Sequence, residues 1–136
     1  MMDALNKHKH LEFIQASISR MSGNLFLLKG WSITLIAGLF ALAAKDTNKS
    51  YIVIAYFPLF IFWMLDGYFL SRERRFRALY EDVRTRDEAS IDFSMDTEPY
   101  RSGRRNSWLS AIFSRTLIVY YVGLGAIMTL LSVFVR

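Results

Sequence analysis

The sequence contains no cysteine and only two histidines. The absence of cysteine excludes disulfide bonds, thiolate metal sites and cysteine chemistry. His8 and His10 lie two residues apart and would point to different faces of a helix, so they make a poor metal-binding pair and we expect both to be solvated. Phosphate-binding glycine loops, nucleophile elbows and paired catalytic carboxylates are also missing. The sequence therefore predicts no enzyme, no cofactor and no metal site.

What the chain has in quantity is apolar sequence. Its residues are 53% hydrophobic and 15% aromatic, and they form three long apolar segments. This composition indicates an integral membrane protein rather than a soluble globule. The first 24 residues mix charged and apolar side chains without a compact apolar core, so we expect no signal peptide. A chain of 136 residues has the length of one domain.

We predict an all-α membrane protein with three transmembrane helices. The predicted segments are a cytosolic amphipathic helix at 3–24, spans at 25–44, 51–70 and 115–135, and a cytosolic basic helix and loop at 71–107. Each span is close to the ~20 residues that cross a bilayer. Ten arginines lie in 71–115, against two basic residues in the turn at 45–50. The positive-inside rule therefore places the N-terminus inside and the C-terminus outside.

Two apolar patterns predict how the cytosolic helices pack. The N-terminal seam consists of Leu11, Ile14, Ile18, Met21, Leu25 and Leu28, at spacings of three and four. A second stripe consists of Phe69, Phe76, Leu79, Tyr80 and Val83. Both patterns are typical of helices that bury one face. We expect them to pack on each other, and the alternative is that the seam packs on its copy in another subunit.

Lys29 and Asp66 are the charged residues inside the first two predicted spans. The short turn at 45–50 makes these spans antiparallel neighbours, and both residues lie about 22 Å from it at 1.5 Å per residue. A charge alone is costly at that depth, so we expect an intramembrane ion pair. The alternative is a functional role for Asp66 as an ion-selecting or gating carboxylate.

The first and the third predicted spans each carry small and polar residues along one face. Gly30, Thr34 and Gly38 recur every four residues in the first span, a spacing that allows close helix packing. The third span carries Tyr121, Gly125, Thr129 and Ser132 on one face. Such a face needs contact with helices or water, and in a ring of subunits these four residues are candidates to line a pore.

The densest charge in the chain is cytosolic arginine. The candidate ligand-binding residues are Arg72, Arg74, Arg75, Arg77, Arg84, Arg104 and Arg105. Guanidinium groups bind phosphate in a bidentate manner, and interleaved aromatic residues suit single-stranded nucleic acid or nucleotides. The alternative is that these arginines set the membrane orientation, contact anionic lipid and pair with nearby acids.

Two stretches carry a resemblance to known proteins. They are LNKHKHLEFIQASISRMSGNLFLLKGWSITLIAGLFALAA at 5–44 and FWMLDGYFLSRERRFRALYEDVR at 62–84. They resemble a group of small bacterial membrane proteins, some of them encoded beside a nucleotidyltransferase in anti-phage defence loci such as the Hailong system. The resemblance implies an oligomeric ion channel of the bacterial inner membrane, controlled by a nucleotide or short DNA that a partner nucleotidyltransferase makes. It transfers no catalytic or ligand motif.

These observations predict a homo-oligomeric channel, with a tetramer as the expected assembly, whose arginine-rich cytosolic face binds a nucleotide-derived ligand such as single-stranded DNA. The competing hypothesis is a non-conducting membrane adaptor that anchors a cytosolic partner protein.

Overall fold

A computed structural model describes residues 2–45, 50–103 and 105–134. It contains four α-helices in chain order: α1 (Met2–Lys45), α2 (Ser50–Thr85), α3 (Trp108–Ile112) and α4 (Arg115–Phe134). Two single 3₁₀ turns, Glu88–Ser90 and Glu98–Tyr100, interrupt the loop between α2 and α3. The described part of the chain has no strand, so the predicted all-α class is confirmed.

The first two helices are longer than any single predicted segment. The segments predicted at 3–24 and 25–44 form one unbroken helix of 44 residues. At the boundary between the two segments the sequence becomes more apolar, but it contains no helix-breaking residue. α1 therefore continues through it. Similarly, α2 runs for 36 residues with Pro58 inside it, and its basic second half continues directly from the apolar first half. At 1.5 Å per residue α1 is about 66 Å long, roughly twice the hydrocarbon thickness of a bilayer.

The apolar parts of α1, α2 and α4 pack together, and we call residues 25–45, 50–70 and 115–134 the bundle. Its core consists of Ile36, Ala55, Leu59, Leu117, Tyr121 and Met128. Along α4, Tyr121 meets Asp66 and Thr129 meets Tyr56, so α4 runs antiparallel to α2. The first half of α1 and the second half of α2 pack on each other at one end of the bundle, and the end of α4 lies at the other.

Most of the bundle's outer surface is apolar and uncovered. Large exposed side chains include Phe26, Trp31, Val53, Phe57, Val119, Leu130 and Phe134. All three helices are long and apolar enough to cross a membrane. The exposed apolar surface fits a transmembrane protein, because in water it would be a large unfavourable area.

The cytosolic segments predicted from sequence form a second packed unit, the head, which comprises residues 2–24, 71–103 and 105–107. Its core joins α1 and α2 through Ile14, Ile18, Leu79, Val83 and Ile91. Leu11, Phe76 and Tyr80 pack around this core. The predicted contact between the N-terminal seam and the second apolar stripe is therefore confirmed, and it occurs inside one subunit.

The loop at 87–107 has no helical periodicity, yet it is anchored to α2. Ile91 and Thr97 are buried, and the Ser71 hydroxyl donates to the backbone carbonyl of Asn106 at 2.6 Å. At its end Ser107 caps α3, because its hydroxyl accepts the Ser110 backbone N–H at 3.2 Å. The loop thus carries its residues to fixed positions beside α2.

Indole groups and one glycine attach α3 to α2 at the level of Asp66. Trp63 donates to the backbone carbonyl of Ile112 at 3.0 Å, and Trp108 donates to that of Met64 at 3.1 Å. Gly67 allows this close approach, since a Cβ there would lie 2.6 Å from the Ile112 side chain and 3.3 Å from its Cα. These contacts hold α3 against α2 near the level where the bundle meets the head.

Candidate functional site

The structure brings Lys29 and Asp66 together at the join between head and bundle. The Lys29 Nζ lies 2.6 Å from Oδ2 of Asp66. The Asp66 side chain is completely buried, whereas that of Lys29 is 24% exposed. Asp66 lies 16 residues, about 24 Å, along α2 from Ser50. The ion pair therefore lies near the head end of the bundle, where the Lys29 side chain still reaches the surface.

Two tyrosines of α4 complete the polar cluster around this ion pair. Tyr121 donates its hydroxyl to Oδ2 of Asp66 at 2.9 Å and also lies 3.1 Å from the Phe62 carbonyl. The Tyr120 hydroxyl donates to the Lys29 carbonyl at 2.9 Å. Because Asp66 Oδ2 accepts both partners, its Oδ1 is buried without a hydrogen-bond partner. The cluster links all three long helices through one carboxylate.

The position of Tyr121 corrects part of the pore-lining prediction. Tyr121 is 1% exposed and stacks on Trp63 with ring centroids 5.9 Å apart. Gly125 faces Leu59 and Thr129 bonds to the Tyr56 hydroxyl at 2.8 Å. Helix contact inside the subunit thus satisfies most of this polar face.

Ser132, the fourth pore-lining candidate, is half-buried. Its hydroxyl donates to the backbone carbonyl of Thr129 at 2.7 Å, within α4 itself. It has no other hydrogen bond among the described residues.

The small-residue face of α1 lies on the outside of the chain. Gly30, Thr34 and Gly38 are all exposed, and a Cβ at either glycine would meet no other atom within 4 Å. Thr34 bonds only to the Gly30 carbonyl of its own helix, at 2.9 Å. α1 packs on the rest of the subunit through a different face, which includes Ser32 and Ile36.

Two of the predicted ligand-binding arginines hold the loop. Arg74 Nη1 donates to the backbone carbonyl of Arg105 at 2.7 Å. Burial, together with the charge of Arg105, lowers the pKa of Arg74 below its ordinary value. Arg75 is buried, and its Nε lies 3.4 Å from the Asn106 carbonyl. Arg74 is therefore a structural group, whereas Arg75 also reaches a pocket described below.

Two further arginines of the predicted face pair with acids on their own helix. Arg77 lies 2.7 Å from Glu73, and Arg84 lies 2.6 Å from Glu81. These contacts match the alternative that the arginines neutralise nearby carboxylates. Arg104 lies outside the described residues.

Arg72 and Arg75 line a basic pocket, which we call the arginine pocket. It has a volume of about 300 Å³ and is lined by Tyr68, Ser71, Arg72, Arg75, Glu98, Arg101 and Trp108. The Arg72 guanidinium stands over the Tyr68 ring, 5.5 Å from its centroid. Three guanidinium groups and two aromatic rings thus converge beside the end of the bundle.

Glu98 is the only acidic residue among those that line the arginine pocket. Its carboxylate lies between two guanidinium groups, 3.6 Å from Arg75 and 3.7 Å from Arg101. Both distances are longer than the donor–acceptor distance of a good hydrogen bond. A phosphate group could replace these contacts with shorter, bidentate ones. Sequence reasoning missed Arg101 because it comes from the loop, which has no periodicity to place it.

A separate cluster in the head stabilises the loop. The Tyr100 hydroxyl donates to Asp82, which also pairs with Arg86 at 2.5 Å. The hydrogen bond from Tyr100 is the main cause that lowers the pKa of Asp82. Burial and the same hydrogen bond raise the pKa of Tyr100 to about 12. Lys7 reinforces this region by donating to the Arg86 carbonyl at 2.7 Å.

The structure also corrects the expectation for one histidine. His8 is exposed, as expected, but His10 is 3% exposed and packs against Phe93 with ring centroids 5.5 Å apart. Helical periodicity alone could not reveal this contact, because the ring is covered by the loop and not by another helix.

Comparisons with protein-family models, with curated proteins and with solved structures found no match to this chain.

Proposed function

We propose that the protein is a homo-oligomeric membrane channel whose conduction is controlled by a phosphate-bearing ligand at the arginine pocket. The ligand to test first is a nucleotide or short single-stranded DNA, the product that the resemblance assigns to a partner nucleotidyltransferase. The resemblance also assigns this effector to anti-phage defence in the bacterial inner membrane. The distribution of basic residues predicts that its N-terminus lies in the cytoplasm and its C-terminus in the periplasm.

The observation that carries the proposal is the continuity of α2 between the pocket and the bundle. Arg72 and Arg75 of the pocket lie only six and nine residues after Asp66 on the same helix. At 1.5 Å per residue they are about 9 and 14 Å from the ion pair. A ligand that draws Arg101 of the loop toward Arg72 and Arg75 would move α2 at the level where Asp66 contacts α1 and α4. Such a movement is a direct route from ligand binding to the membrane helices.

Assembly is supported by the surfaces that the single subunit leaves uncovered. The exposed face of Gly30, Thr34 and Gly38 has the spacing that allows helices of neighbouring subunits to approach closely. Because Tyr121 is used inside the subunit, we place the subunit contact or pore lining on this face of α1. A tetramer is the assembly to test.

Electrical recording tests the proposal. The purified protein in planar bilayers should conduct ions, and a ligand oligonucleotide should change its open probability. Charge reversal at Arg72 and Arg101 should remove the ligand response, whereas Arg84→Glu, outside the pocket, should retain it. Silent bilayers from a well-folded oligomer would refute the channel and favour the membrane adaptor, which predicts co-purification with a cytosolic protein at a fixed ratio.

A further inference from the structure

A second groove lies on the head, between α1 and the part of the loop that follows Ile91. It has a volume of about 600 Å³ and is lined by Asn6, Lys9, His10, Phe13, Ala16, Ser17, Arg20, Phe93 and Met95. This volume is within the range of small-molecule sites. None of these residues belongs to the arginine pocket, so the groove is a separate feature of the head.

His10 is the residue in this groove whose bonding is incomplete. Its Nε2 lies 3.1 Å from the backbone carbonyl of Ser94. A carbonyl oxygen only accepts, so Nε2 carries the hydrogen, and in the neutral ring Nδ1 is an acceptor. This Nδ1 is buried and has no hydrogen-bond partner. A buried acceptor without a partner is unfavourable, and a ligand that brings a donor to it would remove that cost.

The other groups in the groove indicate what else the ligand contains. Phe13 is 65% exposed and Phe93 is 50% exposed. Phe93 has a left-handed backbone (φ 56°), which a bulky residue rarely adopts. Lys9 makes no hydrogen bond or ion pair with the rest of the described chain, and Arg20 contacts only the Ser17 hydroxyl, at 3.3 Å. Exposed aromatic faces beside uncompensated cations suit a planar ring that carries an anionic group.

We propose that this groove binds a nucleoside phosphate whose base carries an exocyclic amine, such as adenosine monophosphate. The base stacks on the two phenylalanines, its amine donates to Nδ1 of His10, and its phosphate contacts Lys9 and Arg20. The regulatory meaning of this site rests on the proposed ligand control of the channel. Nucleotide binding at the groove is measured directly, without recording ion currents. The binding experiments therefore test this site even if the protein is not a channel.

The first test uses the full chain in nanodiscs with ¹⁵N-labelled histidine. The chain has only two histidines, so exposed His8 serves as an internal reference for His10. Adenosine monophosphate should shift the Nδ1 resonance of His10 and leave those of His8 unchanged. Equal shifts of both residues, or no shift at millimolar nucleotide, would overturn the proposal.

The second test assigns the phosphate contacts by equilibrium dialysis. Lys9→Gln and Arg20→Gln change exposed residues and should each weaken adenosine monophosphate binding by about tenfold, since each removes a charge-assisted hydrogen bond. The matched control Lys45→Gln, at the far end of α1, should bind as the wild type does. Unchanged binding in both groove variants would contradict the assignment.

The third test addresses the amine. Purine riboside monophosphate, which lacks the exocyclic amine, should bind about tenfold more weakly than adenosine monophosphate. His10→Phe should abolish this difference, provided its circular dichroism matches that of the wild type. If that variant does not fold, equal wild-type affinity for the two nucleotides is by itself enough to overturn the role of His10.

Discussion

The buried ion pair gives the sharpest test of the bundle, because its two partners differ in exposure. Lys29→Met leaves the Asp66 carboxylate buried at 0% exposure, with Tyr121 as its remaining hydrogen-bond donor. Breaking a buried pair in this way costs about 3–5 kcal/mol of the free energy of unfolding. The large value follows from the uncompensated charge that remains.

The opposite substitution should cost less. In Asp66→Leu the remaining charge is Lys29, which is 24% exposed and can extend toward the head end of the bundle. Tyr121 loses one acceptor but keeps the Phe62 carbonyl at 3.1 Å. We expect a loss of about 1.5–3 kcal/mol, the contribution of one hydrogen bond to a charged group. The difference in burial between the two partners thus predicts that Lys29→Met loses more unfolding free energy than Asp66→Leu.

The double variant completes a mutant cycle. With both charges replaced by apolar groups, the loss should be no more than about 1–2 kcal/mol. The double variant would then lose about 3–6 kcal/mol less than the sum of the single variants. Unfolding in mixed detergent–SDS micelles, followed by far-ultraviolet circular dichroism, measures these free energies.

A surface pair provides the control for this cycle. Glu81 and Arg84 are 61% and 58% exposed, so their coupling should be about 0.5 kcal/mol or less. Additive losses at Lys29 and Asp66, or a larger loss from Asp66→Leu than from Lys29→Met, would refute the reasoning from burial.

Three further predictions follow from the packing and the charges. Gly67→Ala should cost about 1–3 kcal/mol of unfolding free energy, since its Cβ would lie 2.6 Å from the Ile112 side chain, and equal stability would contradict this contact. Gly30→Leu should not lower the stability of the single chain, because a Cβ at this position would meet no other atom within 4 Å and Leu favours a helix more than Gly does. It should reduce the oligomer in size-exclusion chromatography with light scattering, and an intact oligomer would remove that face from the interface. Because the pKa of Tyr100 is raised from 10.0 to about 12, its contribution to stability is complete below pH 10 and is lost as pH rises toward 12. The free energy of unfolding, measured between pH 9 and pH 12, should show this loss. Tyr100→Phe should reduce the pH dependence and leave the part that comes from the other tyrosines and the lysines.

The all-α class, and the pairs of helices that pack on each other, could be predicted from the sequence because they depend on the spacing of residues along each helix. The contact between Ile14 and Leu79 follows from two apolar periodicities and a short turn. The pairing of Lys29 with Asp66 follows from depth along antiparallel helices. In both cases the geometry of a regular helix converts residue number directly into position.

The sites depend on residues that this geometry does not place. Arg101 and Phe93 come from the irregular loop, so nothing in their spacing predicts that Arg101 shares the Glu98 carboxylate with Arg75, or that Phe93 packs against His10. Similarly, the polar face of α4 predicts a buried or water-facing side but does not say which, and the structure assigns Tyr121 to Asp66. Long-range contacts of loops and the choice between equivalent helix faces are tertiary properties.

The central claim is that a ligand in the arginine pocket controls conduction through the membrane helices. Single-channel recording of the purified oligomer, with a short single-stranded DNA added to the head side, tests it most directly. The account predicts a change in open probability with DNA that the Arg72→Glu/Arg101→Glu variant lacks and the Arg84→Glu variant retains. Ion currents that respond equally to DNA in all three proteins would contradict it.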